Sequence, residues 1–204
     1  MVSSMRTEGA EESERAPQRP PAAPDPAALE ALVGPARSGH RPSAERLLAA
    51  LLPRVRNLVR YLVRGDRDVD DISQEALTLV FRRLETYSGQ GAFLSWVDRV
   101  TARATFASRR RERALREVYP EEAEQLAGAD VEPPSGPEAY VARRRLVLLL
   151  DTIPDEQRHA LVMHHVLGWT VPEIGAELRI SEETVRSRLR LGRTRLRARM
   201  EGEA

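Results

Sequence analysis

Thr170-Val-Pro-Glu-Ile-Gly-Ala-Glu-Leu-Arg-Ile-Ser-Glu-Glu-Thr-Val-Arg-Ser-Arg-Leu-Arg-Leu-Gly-Arg-Thr-Arg-Leu-Arg-Ala-Arg-Met200 is the stretch that decides the fold. It reads as a short helix over Val171–Leu178, a turn, and a long helix over Glu182–Met200. Ile174 and Leu178 lie one turn apart on the first helix, and Ile180 sits in the turn. Val185, Leu189 and Leu196 give the second helix an apolar stripe at roughly helical spacing. Gly175 is small enough to let the two helices cross closely. Ser181 suits an N-cap, and Glu182 and Glu183 fall in the first turn, where carboxylates complement the helix dipole. This is the pattern of a helix-turn-helix, whose second helix enters the DNA major groove. From Thr184 to Met200 that helix carries seven Arg and no acid. Duplex DNA is a polyanion and is the obvious counterpart. A bland surface helix mixes signs to gain pairs at i,i+4, whereas here all the acid precedes all the base.

Outward from that stretch, composition sets the frame. A chain of 204 residues holds one or two small domains. Aromatics are scarce while Leu, Ala, Val and Arg are plentiful, which favours helix over sheet. The absence of cysteine excludes disulfides, thiolate zinc sites and cysteine nucleophiles. The longest apolar run, Leu146–Leu150, is far too short to span a bilayer, and the N-terminus lacks the apolar core of a signal peptide. A soluble, cytoplasmic protein is expected. The net charge of +1 conceals its distribution: residues 41–113 carry a net +6, while residues 1–40 and 114–150 are acidic. Residues 151–204 balance to zero, with the base gathered at the end.

Seven prolines between Pro17 and Pro42 make residues 1–42 read as mostly disordered, with room for a short helix near Ala27–Val33. A first folded block is expected over 43–116. Its opening helix, Ser43–Val63, sets Leu48, Leu51, Leu52, Val55, Leu58, Val59 and Leu62 on one broad face. A second helix covers about Asp68–Leu84, with Val69, Ile72, Ala76, Val80 and Leu84 inward. Tyr87-Ser-Gly-Gln-Gly91 is a turn-rich loop with two glycines suited to positive φ. A third helix, about Ala92–Arg113, is lined by Phe93, Trp96, Val97, Val100 and Ala104. Residues 117–137 form an acidic, Pro-rich linker. A second block, 138–204, holds helices at Glu138–Thr152, Asp155–Leu167, Val171–Leu178 and Glu182–Met200. Asp155 is a plausible N-cap, and Gly168 a natural residue just past a helix end. The expected fold class is all-α, with two small helical domains on a flexible linker.

Two blocks together say more than either alone. Asp70-Asp-Ile-Ser-Gln-Glu75 followed by Ala-Leu-Thr-Leu-Val-Phe81, then Phe93-Leu-Ser-Trp-Val-Asp-Arg-Val100 running into an Arg cluster, make the first. Ile153-Pro-Asp-Glu-Gln-Arg158, Val166-Leu-Gly-Trp-Thr170 and the helix-turn-helix make the second. In this order the chain resembles the extracytoplasmic-function sigma factors, the small two-domain branch of the bacterial sigma factors, over about residues 43–116 and 138–200. The resemblance implies a transcription initiation factor with no enzymatic activity and no cofactor. It would bind core RNA polymerase, bring it to promoter DNA and help open the −10 duplex.

The same resemblance implies the sites. Asp71, Gln74, Glu75 and Thr78, spaced by three and four, form a polar stripe that would dock on the basic β′ clamp helices of the polymerase. The second lobe would meet the β flap, and an anti-sigma factor is a further partner of this family. Tyr87 with the Ser88–Gly91 loop matches the family's base-capturing loop. Arg99, Arg103, Arg109, Arg110, Arg111 and Arg113 would supply the cations for the melted −10 strand. Trp96 reads as a core anchor rather than a base stacker. For the −35 element, Arg186, Ser187 and Arg190 lie near the start of the recognition helix, where base edges are reached. Arg188, Arg193 and Arg195 suit phosphate or solvent, and Thr184 suits either a phosphate or a cap. The chain departs from the family pattern at Arg103 and Ala107 in the strand-reading helix and at Leu191 in the recognition helix. Arg179 replaces the usual turn glycine, where a left-handed residue costs roughly 1–2 kcal/mol. Gly192 inside a helix costs about 1 kcal/mol relative to Ala.

Other chemistry finds little support. His159 and His164, five apart, point about 140° away from each other on a helix, and no acid completes a metal site. No phosphate-cradling Gly-rich loop, catalytic carboxylate pair or serine elbow is present. Two alternatives stay open on sequence: a helix-turn-helix regulator that binds duplex DNA without entering polymerase, and an inactive sigma-like protein that sequesters an inhibitor.

Overall fold

Apolar residues at three- and four-residue spacing organise the described residues into helices. The computed structural model describes residues 25–118 and 137–202, and among these residues there are eight α-helices and no strand. They are α1 (Pro26–Arg37), α2 (Arg41–Leu62), α3 (Val69–Arg82), α4 (Phe93–Val118), α5 (Pro137–Asp151), α6 (Asp155–His165), α7 (Val171–Leu178) and α8 (Glu182–Gly202), with a 3-10 turn at Leu84–Thr86. None of the helices is long and apolar enough to cross a membrane.

The N-terminal lobe is α1–α4. Leu47, Leu51, Val55 and Val59 of α2 pack with Ile72, Ala76 and Val80 of α3 and with Phe93, Val97 and Val100 of α4. Pro53 sits inside α2, where its missing N–H removes one helical bond. The helix nevertheless continues, because Leu51 and Val55 on either side are fully buried. Within residues 1–42, the short helix expected near Ala27–Val33 is present as α1 and runs longer than expected, Pro26–Arg37. Asp25 caps α1 by accepting from the Ala27 N–H at 3.1 Å, and Leu29, Val33 and Ala36 bury against the lobe. The prolines masked this apolar period, since Pro26 stands in the first turn, where proline is tolerated. Residues 1–24 and 119–136, which include most of the expected linker, lie outside the described residues. The third predicted helix runs on past Arg113 to Val118.

The C-terminal lobe is α5–α8. Thr170 and Glu173 form a capping box at the start of α7: the Thr170 N–H donates to Glu173 Oε2 at 2.8 Å and the Glu173 N–H to Thr170 Oγ1 at 3.4 Å. Ser181 caps α8 by accepting from the Thr184 N–H at 3.2 Å. The cap of α6 falls on Pro154, not on Asp155, which lies in the first turn. Gly192 has a packing reason. A Cβ there would come within 2.8 Å of Leu161 Cδ1 on α6, so the glycine lets α8 approach closely. At Gly175 the crowding comes from the turn itself, with the Ile180 carbonyl oxygen 3.0 Å from a built Cβ, while Val185 of α8 is 3.9 Å away.

Arg179 adopts φ 56° and ψ 47°, a left-handed conformation that an L side chain takes at a cost. Arg179→Gly is expected to raise stability by about 1 kcal/mol, the strain relief being partly offset by the freedom glycine adds to the unfolded chain. Thermal unfolding reads this as a higher midpoint, and a lower one would contradict the strain.

The two lobes are not independent bodies on a tether. Leu58 and Leu62 of α2 and Ala102 and Phe106 of α4 join the same buried cluster as Ile153, Ala160, Leu161, Met163, Trp169 and Ile174. Polar contacts cross the same seam. Arg60 reaches Asp151 at 2.6 Å, and the Arg64 guanidinium donates to the Ile153 carbonyl at 2.9 Å. His159 Nε2 lies 3.0 Å from the Leu62 carbonyl oxygen, with its ring edge-on to Phe106.

Candidate nucleic-acid and polymerase interface

Helix α3 turns Val69, Ile72, Ala76 and Val80 into the core, so Asp71, Gln74, Glu75 and Thr78 are carried to its exposed side. The predicted stripe therefore exists as a surface. It ends on Phe81, 44% exposed and three residues beyond Thr78, which sequence reading assigned to no site. A large apolar ring left on the surface beside a polar stripe is the usual composition of a protein-docking face. Glu75 is not free in this state, because it pairs with Arg111 of α4. Asp70, next to the stripe, pairs with Arg56 at 2.7 Å.

Tyr87 is placed differently from the expectation that it reads a base. Its side chain is only 8% exposed, packed against Phe93 and Trp96 with ring centroids 5.2 and 5.6 Å away. Its hydroxyl donates to the Gly91 carbonyl at 2.9 Å. Tyr87 thus shapes the Ser88–Gly91 loop from beneath, and Gly89 and Gly91 adopt φ 77° and 79° as expected. The aromatic spacing of Tyr87, Phe93 and Trp96 was the signal for this burial: three rings close in sequence around a turn satisfy one another. Arg37 of α1 holds the same loop, donating to the carbonyls of Glu85 and Tyr87 at 3.3 and 3.4 Å.

The six arginines of α4 expected to serve the −10 strand fall into three groups. Arg110 and Arg113 are exposed and make no ion pair among the described residues. Arg109 is bound to Asp68 and Glu112, and Arg111 to Glu75. Arg99 and Arg103 meet the other lobe, at Glu173 (2.8 Å) and Glu177 (2.9 Å) of α7. Arg99 also lies over the Trp169 ring, 5.4 Å from its centroid. The Glu173 carboxyl is held below its usual range, first by the Thr170 N–H and hydroxyl and then by Arg99.

On α8, Val185 and Leu189 are buried and Arg190, Arg197 and Arg199 point to solvent, so the basic face is open. Arg186 is folded back on Glu182 at 2.6 Å. Ser187 and Arg188 are half-buried beside it. The Thr184 hydroxyl lies 2.9 Å from Ser181 Oγ, so it reinforces the cap. Arg193 Nε donates to the Leu189 carbonyl at 3.3 Å, and Arg195 turns to Gln157 of α6 at 3.1 Å. The described residues contain no cluster of three or more metal-capable side chains.

Comparison with known proteins matches residues 47–115 to sigma-70 region 2 and residues 143–196 to sigma-70, region 4. The chain is 33% identical to the ECF RNA polymerase sigma factor SigE of Mycolicibacterium smegmatis over 157 residues, covering 76% of this chain and 61% of that protein. It is 28% identical to the RNA polymerase sigma factor CarQ of Myxococcus xanthus over 161 residues, or 79% and 91%. Among solved structures, the fold is similar to RpoE of Bartonella quintana in complex with the anti-sigma factor NepR, with a TM-score of 0.54 and 19% identity over 77% of this chain and 96% of that one. It is similar also to CnrH in complex with the cytosolic domain of CnrY, with a TM-score of 0.51 and 19% identity over 88% and 100%. With both regions present in this order, and with these relatives, the chain belongs to the extracytoplasmic-function branch of the sigma-70 family.

Proposed function

We propose that the chain is a transcription initiation factor that binds core RNA polymerase and selects promoters, reading the −35 duplex with α8 and the melted −10 strand with α4. It performs no chemistry itself. The observation that carries this reading is the separation of three surfaces on one chain: the α3 stripe, the basic α4 face and the outward arginines of α8. A duplex-binding regulator needs only the third.

In this reading Asp71, Gln74, Glu75 and Thr78, with Phe81 at their end, dock on the β′ clamp helices, and the C-terminal lobe meets the β flap. Charge complementarity guides the encounter and fixes its register, while the apolar ring supplies burial. Arg99, Arg103, Arg110 and Arg113 hold phosphates of the separated strand. Arg109 and Arg111 orient α3 and α4 through their acidic partners. Arg190 and Ser187 reach base edges, and Arg186 joins them on release from Glu182. Arg188 and Arg193 lie towards the backbone. A protein inhibitor of the kind bound to the Bartonella relative is an expected partner, and the cytoplasm is where such a factor meets polymerase.

Run-off transcription with purified core polymerase and genomic promoter fragments tests the assignment. Asp71→Arg is expected to abolish core binding and leave duplex binding intact. Arg190→Ala is expected to weaken duplex recognition roughly 10- to 100-fold, the cost of about 1–3 kcal/mol for one base-edge contact, and to spare core binding. Equal loss of both activities in either variant, or no core-dependent initiation at all, would overturn the reading.

A further inference from the structure

Val185, Leu189, Gly192 and Leu196 form the inner side of α8, turned towards α6 and α7. At about 100° per residue these four fill a narrow sector, and Ser187 and Thr194 point the opposite way. Arg190 and Leu191 stand on either side of that outward line, each about 130° from the middle of the inner sector. The solvent face of α8 is therefore arginine on one flank and leucine on the other. Leu191 is 44% exposed. Leu196, on the inner side, packs against the apolar cluster of the lobe, in which Leu191 takes no part among the described residues. We propose that Leu191 is a specificity-determining residue, which reads the C5 methyl group of a thymine in the −35 duplex. The proposal rests on the reading of α8 as the −35 helix.

Helix propensity gives no reason for leucine at this position, since arginine forms helix as well. Arginine fills the exposed positions around it, at 190, 193, 195 and 197. An exposed leucine among these cations has no apolar cover of its own, and the major groove offers one. The thymine methyl is an apolar group on a base edge, and apolar side chains are its usual contact. Closing leucine over it takes both out of water and strands no polar group. The surroundings leave Leu191 free to reach that edge. Its neighbours on the helix surface, Ser187 four residues before and Thr194 three after, are short. Arg195, one turn further on, is drawn aside to Gln157 of α6 at 3.1 Å. Arg190 on the other flank supplies the polar contact that a guanine takes. The two residues thus divide the reading between them, one by hydrogen bonds and one by a methyl group.

The test uses the full chain assembled with core RNA polymerase. Holoenzyme selects duplexes from a pool randomised over the −35 segment. The preferred duplex is then made with thymine or with uracil in that segment, two bases that differ only in the methyl. The native holoenzyme is expected to bind the uracil duplex roughly three- to fivefold more weakly, the effect of one apolar group left unburied. Leu191→Ala is expected to bind the thymine duplex more weakly by about the same factor, and to bind both duplexes equally. Arg190→Ala is expected to lose affinity for both and keep their ratio. Core binding by Leu191→Ala is expected to match the native chain. A native ratio near one, a preferred segment without thymine, or a native ratio retained in Leu191→Ala would overturn the proposal while leaving α8 as the −35 helix. Loss of core binding in Leu191→Ala would place the side chain against polymerase and overturn it equally. If the native holoenzyme selected no sequence over the randomised segment, the reading of α8 would fall first and the proposal with it.

Discussion

Asp151→Ala is expected to destabilise the protein by about 3–5 kcal/mol, because it strands a buried charge. Arg158 of α6 is 0% exposed and its guanidinium is answered by Asp151 alone among the ion pairs it makes. Its Nε and Nη1 have no hydrogen-bond partner among the described residues. Burial pushes the Arg158 guanidinium below its usual range, a measure of how costly the site is for a cation. Burial works against the charge on Asp151 too, but the hydrogen bonds from Arg60 and Arg158 outweigh it and hold the carboxyl below its usual range. Removing the carboxylate thus forfeits two partners at once. The same carboxylate links Arg60 of α2 to the C-terminal lobe, so loss of the lobe seam accompanies loss of stability. Urea unfolding followed by far-ultraviolet circular dichroism reads the effect. Replacing both members, Asp151→Leu with Arg158→Met, is expected to recover most of the loss, since a well-packed apolar pair often matches a buried ion pair. A single variant with native stability would show that the network contributes nothing.

Acid is the second large lever. Burial drives the His159 imidazole down to about 4, with the contact to the Leu62 carbonyl only partly opposing it. The sign follows from the reference state. In the unfolded chain a histidine titrates near 6.5, so between that pH and about 4 the unfolded chain takes a proton that the folded ring refuses. Stability is complete above about 6.5, falls as the pH drops through the window, and levels out below about 4, for a total of roughly 3 kcal/mol. Between pH 7 and pH 5 the expected loss is about 2 kcal/mol. Asp151 adds little to the slope in that interval, because the unfolded carboxyl, near 3.8, is ionised there as well; its lowered folded value costs stability only at more acid pH. His165 shifts in the same direction but is exposed. His159→Gln therefore isolates the buried ring, and it retains an amide that can donate to Leu62. Urea midpoints at pH 7 and pH 5 should converge in this variant, and a slope equal to that of the native chain would assign the effect elsewhere. Because the ring sits between Leu62 of α2 and Phe106 of α4, its protonation acts on the seam between the lobes.

The local order of this protein was legible in its residues. Helix periodicity, the Ser181 cap, the strained Arg179 and the positive-φ glycines at 89, 91 and 168 depend on neighbours within a few residues, and each was read without knowing the fold. So was the exposed polar stripe of α3, because a helix with four inward apolar positions must carry its polar ones outward. The helix α1 was only half visible, since prolines at its start and end resemble those of a disordered segment until burial is known.

Partnership was decided by tertiary structure alone. An arginine is written the same way whether it faces a phosphate, its own helix or another lobe. Arg99 and Arg103 lie 74 residues from Glu173 and Glu177, and no local period joins them. Tyr87 turned inward because Phe93 and Trp96 offered it a dry neighbour, and Gly192, a weakness in an isolated helix, became the point where α8 meets α6. The chain by itself determined its helices, the Ser181 cap and which polar and basic residues face outward on α3 and α8, since those follow from short-range sterics and periodicity. Only the packed structure decided which charges are spent on one another, because that depends on distances between segments that sequence spacing does not encode.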